Sequence, residues 1–372
     1  MNDPSPRVYK EILRLDLGYF AQHCFCELNP QAAFLPNWHI EVIAAKLAAV
    51  RAGRIRRLII NLPPRHLKSL LASIAFPAWC LGHDPSAQIL CVSYAQELAD
   101  KLARDCRSIM TSPWYRQIFP TRLAPHRQAV QEFITTRQGY RLATSTGGVL
   151  TGRGADLILI DDPLKPEEAL SEARRRATND WYANTLYSRL NDKRRGGIVI
   201  IMQRLNEDDL VGHVLGQEPW EVVSFPAIAE ADEVHEIATI GGPQRFTRRH
   251  GEALHPARES LATLAHIRRT IGEYNFAGNI SNPRHPWAAG WSRKHGSSAT
   301  ASTSGPSASS ASCRAGTPPT RRPSSATSAS ARPGGSAART FIYSACCASG
   351  SNIRRSSARC ASSRTCSTPP RC

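Results

Sequence analysis

RLIINLPPRHLKS, residues 57–69, and LILIDDP, residues 157–163, decide the fold of this chain. The first stretch is a short apolar run, then a tight loop with two prolines, then a lysine and a serine that open a helix-like segment. The second is a run of four aliphatic residues that ends in two aspartates. Short apolar runs bounded by turn residues are typical of buried strands. Both stretches therefore predict a strand that ends in polar residues suited to chemistry.

Strand-like and helix-like segments alternate along the chain around these two stretches. Strands are predicted at residues 58–60, 88–93, 157–160 and 198–202, helices at 42–52, 97–110 and 167–190, and a hairpin between 132–136 and 140–144. Such alternation predicts an α/β fold with a mainly parallel sheet and flanking helices. Ligands of these sheets bind at the carboxyl ends of the strands, where both decisive stretches end.

The polar residues at these strand ends match what ATP hydrolysis requires. Lys68 supplies a cation for the phosphates, and Ser69 and Asp161 supply a hydroxyl and a carboxylate for Mg²⁺. Asp162 supplies a second carboxylate near the attacking water. Backbone amides at the start of a helix also stabilise anions. We expect the nucleotide to be bound by Pro64, Arg65, His66, Leu67, Lys68 and Ser69.

The loop departs from the usual phosphate-loop pattern, G-x-x-x-x-G-K-[ST]. Leu62 and Leu67 stand where that pattern has its two glycines. The alternative is a proline-stiffened turn with one solvated lysine. The two acids could likewise face water at a strand end, or cap a helix that starts near Pro166. Because buried adjacent carboxylates need a metal or hydrogen-bond donors, and because both parts occur in one chain, the nucleotide site is favoured.

Four segments, in this order, resemble the ATPase half of bacteriophage terminase large subunits, the DNA-packaging motors. They are RLIINLPPRHLKSLLASIAFPAW, CVSYAQELADKLARDCRSIM, TSTGGVLTGRGADLILIDDPLKPEEA and IVIIMQRLNEDDLVGHVL, within residues 20–278. The resemblance implies a P-loop NTPase fold of the RecA/ASCE-like kind. It makes Lys68 and Ser69 the Walker A residues and Asp161 the Walker B partner of Mg²⁺. Asp162 stands where such motors often carry the catalytic glutamate, which is one methylene longer.

The resemblance also implies a coupling motif and an arginine that acts in the transition state. Gln203 and Arg204 follow the strand at 198–202, where the family senses the γ-phosphate. A polar strand end is the alternative for this pair. Two arginines, Arg65 and Arg153, are candidates for offsetting transition-state charge, an effect that contributes about a thousandfold or more.

Cofactors and partners follow from the same resemblance. It implies ATP and Mg²⁺ as cofactors, and double-stranded phage DNA, a portal protein and a small terminase subunit as partners. A homo-oligomeric ring on the portal, in the cytoplasm of a bacterial host, is the implied setting for this phage or prophage product. No apolar stretch is long enough to span a bilayer, so no membrane partner is expected.

Residues 279–372 differ sharply in composition from the rest of the chain. They hold no Asp or Glu, one lysine, 12 arginines and 6 of the 11 cysteines, in a Ser/Ala/Pro-rich background. Removing these 13 positive charges from the total of +17 leaves +4 for residues 1–278. Such sequence buries too little apolar surface to offset chain entropy. We expect an N-terminal helical segment at 1–50, a terminase-like ATPase domain at 51–278, and a tail at 279–372 that is either disordered or out of frame.

The composition of the tail also bears on function. The resemblance implies that a full-length terminase joins an ATPase to a nuclease. Such a nuclease depends on clustered acidic side chains that hold divalent metals. A segment without carboxylates cannot form that cluster, so no DNA cleavage is expected. Two alternatives to a packaging motor remain. One is a helicase-like translocase, and the other is a non-catalytic prophage remnant that binds nucleotide or DNA.

Overall fold

The computed structural model describes residues 5–150 and 152–276. The tail at residues 279–372 lies outside the described residues, and so do the expectations of disorder, frame change and missing nuclease that fall on it. Within the described part the fold is α/β, with an eight-stranded, mostly parallel sheet and helices packed around it. The predicted fold class is therefore confirmed.

One sheet organises the described part of the molecule. Its strands are β1 (Arg57–Asn61), β2 (Gln88–Ser93), β3 (Leu123–Gln128), β4 (Glu132–Thr135), β5 (Tyr140–Ser145), β6 (Leu157–Asp161), β7 (Gly197–Met202) and β8 (Glu221–Ser224). Their spatial order is β3-β4-β5-β2-β6-β7-β1-β8. From β5 to β8 in that order all neighbours are parallel, whereas β3 and β4 pair antiparallel at one edge.

Helices connect and cover these strands. They are α1 (Pro6–Leu15), α2 (Leu17–Leu28), α3 (Trp38–Arg51), α4 (Phe76–His83), α5 (Gln96–Thr111), α6 (Pro113–Ile118), α7 (Glu172–Trp181), α8 (Leu210–Leu215), α9 (Leu261–Ile271) and α10 (Glu273–Phe276). A separate antiparallel hairpin consists of β9 (Glu233–Thr239) and β10 (Gly242–Arg248). Within the described ranges, every helix is too short or too polar to cross a membrane.

Local sequence signals fix where several helices begin. The hydroxyl of Ser5 accepts from the amide of Val8, and Pro6 occupies the first helical position of α1. The carboxylate of Asp16 accepts from the amide of Gly18 at 2.8 Å at the start of α2. Such caps satisfy amides that the helix itself leaves unpaired, and each stabilises a helix by about 1 kcal/mol.

The core explains why the decisive stretches read as unbroken apolar runs. Strands β1, β6 and β7 are buried along their whole length. Parallel strands covered on both faces need apolar side chains at every position rather than at alternate ones. Leu13, Phe20 and Ile43, from α1, α2 and α3, share one apolar cluster with Ile60 of β1 and Leu159 of β6. The N-terminal helices thus pack into the same core as the sheet.

The predicted continuous helix at residues 167–190 is wrong. Its place is taken by a 3₁₀ turn (Glu168–Leu170), α7, a π-helical turn (Tyr182–Leu186) and a second 3₁₀ turn (Tyr187–Arg189). The hydroxyl of Ser171 accepts from the amide of Arg174 and caps a new helix at that point. Serine favours caps over helix interiors because its side chain bonds nearby backbone groups.

Candidate functional site

The carboxyl ends of β1, β7 and β6 lie side by side. Asn61, the last residue of β1, is paired with Met202, the last residue of β7. Asp161, the last residue of β6, is paired with Ile201 of β7. Residues 62–69, called the candidate loop from here on, leave β1 at this edge. The parallel topology therefore brings the loop and the acidic strand end together.

The candidate loop turns through left-handed backbone without glycine. Arg65 has φ 61° and Leu67 has φ 66°. Such conformations cost about 1–3 kcal/mol in residues other than glycine and cluster at functional sites. Leu67 occupies the position of the second glycine in the usual pattern, and its side chain packs against the main apolar core. Core contact thus offsets part of the strain at this position.

Lys68 contacts the second of the two aspartates. Its ammonium group donates to Oδ1 of Asp162 at 2.7 Å and lies 2.6 Å from Oδ2. Lys68 is only 8% exposed, so this ion pair is poorly screened by solvent. Asp162 itself has φ 45°, and its Oδ1 also accepts from the amide of Gln203 at 3.4 Å. The lysine and this carboxylate are therefore held within reach of one small ligand.

Asp161 lies deeper than Asp162 and has different surroundings. It is 1% exposed, and its Oδ2 accepts from the hydroxyl of Ser73 at 2.8 Å. Burial, followed by repulsion from Asp162, raises the pKa of Asp161 to about 6, whereas Lys68 and the hydroxyls of Ser69 and Ser73 lower it. The other oxygen, Oδ1, is buried without a hydrogen-bond partner among the described residues.

His66 belongs to a cluster of histidines beneath the candidate loop. Its Nδ1 donates to the carbonyl of Pro64 at 2.9 Å. Its ring lies 5.7 Å from the ring of His39 and 6.3 Å from that of His255. Burial lowers the pKa of all three imidazoles. The His66 side chain therefore supports the loop from inside, and only its backbone is placed to meet a phosphate.

The two arginine candidates occupy very different places. Arg65 is exposed in the candidate loop and forms no ion pair within the described ranges. Arg153 pairs with Glu132 at 2.7 Å and lies 5.9 Å from the ring of Tyr140, the first residue of β5. That ring lies at the amino edge of the sheet. A strand rises about 3.3 Å per residue, so the amino end of β5 is about 16 Å from its carboxyl end. The structure brings Arg65 to the site and leaves Arg153 at the opposite edge.

The coupling candidates are only partly gathered at the site. The backbone amide of Gln203 contacts Asp162, and the side-chain oxygen of Gln203 is buried without a partner among the described residues. Arg204 instead pairs with the buried Asp209 at 2.8 Å, in the loop that leads to α8. Arg204 is therefore linked to the loop after β7 rather than to the candidate loop.

The side chains of Lys68, Ser69 and Asp161 are of the types that bind a magnesium–nucleotide complex. Within the described residues, no group of three or more histidine, cysteine or acidic side chains could hold a metal by itself. Mg²⁺ bound with a nucleotide needs only one or two carboxylates, because phosphates and waters fill the other positions. The free Oδ1 of Asp161 and the hydroxyl of Ser69 fit that need. Lys68 is a cation that would suit phosphate at the same place.

Ser73 was missed by the sequence reasoning. It lies in a π-helical turn (Leu70–Ala75) directly after the candidate loop. A serine within an apolar helical segment gives no sign by itself that it contacts a carboxylate 88 positions away. Only the structure reveals this contact.

Comparisons with known proteins gave matches to solved structures alone. No family model and no curated protein matches the chain. The large terminase of bacteriophage HK97 is similar at 15% identity and TM-score 0.44, over 73% of this chain and 56% of that one. The ATPase domain of a Thermus phage large terminase is similar at 16% identity and TM-score 0.32, over 44% and 66%. A thermophilic phage large terminase in complex with ADP is similar at 9% identity and TM-score 0.38, over 63% and 52%.

The chain thus spans between about half and two thirds of the solved structures that it matches. These identities and TM-scores do not establish a family for this chain.

Proposed function

We propose that this chain is the ATP-hydrolysing motor domain of a phage terminase large subunit. One observation carries the proposal: the buried Lys68 meets Asp162, and Asp161 lies beside them with a free oxygen, at the carboxyl ends of β1 and β6, the parallel strands on either side of β7. This combination of cation, hydroxyl and two carboxylates serves phosphoryl transfer. The order of the four sequence segments points to the terminase family among ATPases.

Each residue has a distinct role in this proposal. Lys68 exchanges its contact with Asp162 for the phosphates, and the backbone of residues 64–69 surrounds them. Ser69 and Asp161 hold Mg²⁺, which neutralises charge on the phosphates when bound. Asp162, released from Lys68, accepts the proton of the attacking water. Arg65, exposed in the candidate loop, offsets the charge of the transition state.

The remaining parts of the proposal concern coupling, partners and organisation. Gln203, beside Asp162, senses the state of the nucleotide, and Arg204 transmits it through the loop before α8. Double-stranded DNA is the cargo, with a portal protein, a small terminase subunit and further copies of this chain in a ring as partners. The setting is the cytoplasm of a bacterial host. The chain consists of an N-terminal helical segment at 1–50, an ATPase domain at 51–278 and a tail at 279–372 without nuclease activity.

Separating nucleotide binding from turnover tests these roles. Titration of the full chain with a fluorescent ATP analogue and Mg²⁺ measures binding, and phosphate release measures turnover. Lys68→Ala is expected to lose both, whereas Asp162→Asn is expected to bind normally and lose turnover by about 100-fold or more. Lys101→Ala, which removes an exposed lysine that pairs with Asp105 on α5, is the matched control.

Two outcomes would decide against the proposed roles. Asp162→Asn turning over ATP at the wild-type rate would remove the general-base assignment. Wild-type binding without turnover, with or without double-stranded DNA, would favour the non-catalytic remnant instead.

A further inference from the structure

Ser73 links three elements around the candidate active site. Its hydroxyl donates to Oδ2 of Asp161 at 2.8 Å, and its carbonyl accepts from Nη2 of Arg141 at 3.0 Å. Asp161, Ser73 and Arg141 are 1%, 2% and 0% exposed, respectively. A chain of hydrogen bonds, closed to water, therefore runs from β5 through the turn after the candidate loop to the end of β6.

The local backbone explains how Ser73 reaches Asp161. Ser69 and Ser73, four residues apart, both have hydroxyls close enough to the carboxylate of Asp161 to lower its pKa. Ser73 lies in the middle of the π-helical turn Leu70–Ala75, in which the amide of Phe76 donates to the carbonyl of Leu71. Such wide turns are rare and occur frequently at functional sites.

Arg141 restricts Ser73 from the other side. Its guanidinium is fully buried in β5, and its Nε and Nη1 have no partner among the described residues. Removing a hydrogen bond from a buried charged donor leaves that donor unsatisfied, which destabilises the folded state. The bond to the carbonyl of Ser73 is therefore strongly retained, and it fixes the backbone from which the hydroxyl of Ser73 extends.

The consequence for Asp161 is a carboxylate with one oxygen held and the other free. Ser73 fixes Oδ2, and Oδ1 has no hydrogen-bond partner within the described ranges. We propose that Ser73 is a positioning residue: it fixes the rotation of the Asp161 carboxylate so that the free oxygen meets the metal that accompanies the nucleotide. Arg141 keeps Ser73 in place. This inference rests on the proposed function.

Direct metal binding tests the positioning role. Mn²⁺ binding to the full chain, with saturating ADP, is measured by electron paramagnetic resonance, which reports free and bound ion without turnover. Partners that orient a metal ligand change metal affinity by about 10–100-fold. Ser73→Ala is therefore expected to weaken Mn²⁺ binding by about tenfold or more. Ser73→Thr, which keeps the hydroxyl, is expected to restore affinity to within about threefold.

Two controls separate positioning from stability. Ser108→Ala, on the exposed side of α5, is expected to leave Mn²⁺ binding unchanged. Thermal unfolding of each variant checks that the chain is folded at the temperature of the titration. Wild-type Mn²⁺ affinity in folded Ser73→Ala, or no recovery in folded Ser73→Thr, would overturn the inference alone. A wild-type chain that binds neither ADP nor Mn²⁺ would overturn the proposed function and this inference with it.

Discussion

The two aspartates at the end of β6 are neighbours in sequence but have different surroundings. Asp162 is paired with Lys68, whereas Asp161 is buried and contacts a hydroxyl. Pairs of titratable groups with contrasting surroundings are typical of sites that assign each group a separate task. The sequence predicted that both acids lie at a strand end. It could not predict which of them the lysine contacts, because that depends on the left-handed turn at Asp162.

Asp161 is expected to lower the stability of the chain at neutral pH. Its pKa is raised from 3.8 to about 6, so the folded state binds more protons than the unfolded state between pH 4 and 6. Stability is therefore expected to fall as pH rises through that window, by at most about 3 kcal/mol. In Mg²⁺-free buffer, Asp161→Asn is expected to raise the free energy of unfolding at pH 7.5 by about 1–3 kcal/mol.

Urea unfolding at several pH values measures this effect. The advantage of Asp161→Asn is expected to disappear near pH 4, where the wild-type carboxyl is protonated in the folded state. A variant that is less stable than wild type at pH 7.5 would contradict the assignment of Asp161 as a strained, buried acid.

Because the backbone at Leu67 is left-handed, we expect glycine at this position to give a more stable protein than alanine, the reverse of the usual order. Glycine normally makes the folded state less stable than alanine does, because it loses more conformational freedom on folding. At φ 66°, however, glycine adopts the required backbone conformation without strain. Both substitutions remove the same contact of the leucine side chain with the core. Leu67→Gly is therefore expected to be about 0.5–1 kcal/mol more stable than Leu67→Ala in urea unfolding. Greater stability of the alanine variant would show that the loop is not left-handed at this position.

At the scale of elements, the parallel strands were predictable from sequence and the irregular segments were not. The predicted strand at 88–93 coincides with β2, and that at 157–160 differs from β6 by one residue. Continuous burial on both faces gives such strands an unbroken apolar run. The π-helical turn Leu70–Ala75 lies in equally apolar sequence, where an ordinary helix fits as well. The hairpin β9–β10 was also missed, although Gly241 and Gly242 mark its turn.

Close packing at Gly139 is expected to control the pairing of β4 with β5. A Cβ atom there would lie 2.6 Å from the carbonyl oxygen of Ala87 and would also clash with that of Pro85, both rigid backbone atoms. Gly139→Ala is therefore expected to destabilise the chain by about 1–3 kcal/mol. At Gly241, in the turn of the other hairpin, a Cβ atom would meet only the hydroxyl oxygen of Thr239, at an ordinary contact distance of 3.8 Å. Gly241→Ala is therefore expected to change stability by less than about 0.5 kcal/mol.

Chemical denaturation of the two glycine variants, side by side with wild type, checks this expectation. Equal effects at Gly139 and Gly241 would contradict the close approach of the β4–β5 turn to the chain before β2.

At the scale of the whole molecule, charge and chemistry are distributed unequally along the chain. Residues 1–278 carry a net charge of +4, and residues 279–372 carry 13 of the positive charges with no Asp or Glu.

The candidate site was predictable because its residues follow strands that the sequence marks clearly. The place of Arg153 was implied as well, because it stands four residues before β6, where the chain must return to the amino edge of the sheet to begin that parallel strand. The contact between Ser73 and Asp161 depends on tertiary packing alone.

The full chain is expected not to cleave DNA. A nuclease of the two-metal kind requires clustered carboxylates, and residues 279–372 supply none. Incubation of purified protein with supercoiled plasmid, in Mg²⁺ and separately in Mn²⁺, is expected to leave the plasmid intact. Linear product that EDTA abolishes and that tracks with the protein through purification would contradict this prediction.

If Lys68 and Asp161 form the catalytic site of an ATPase, turnover depends on both side chains. The most direct measurement is the initial rate of phosphate release from ATP by the full chain with Mg²⁺, in the presence of double-stranded DNA. We expect measurable turnover that falls at least about 100-fold in Lys68→Ala and in Asp161→Ala and persists in Lys101→Ala. Turnover that survives in either site variant, or a folded wild-type chain without turnover, would contradict this expectation.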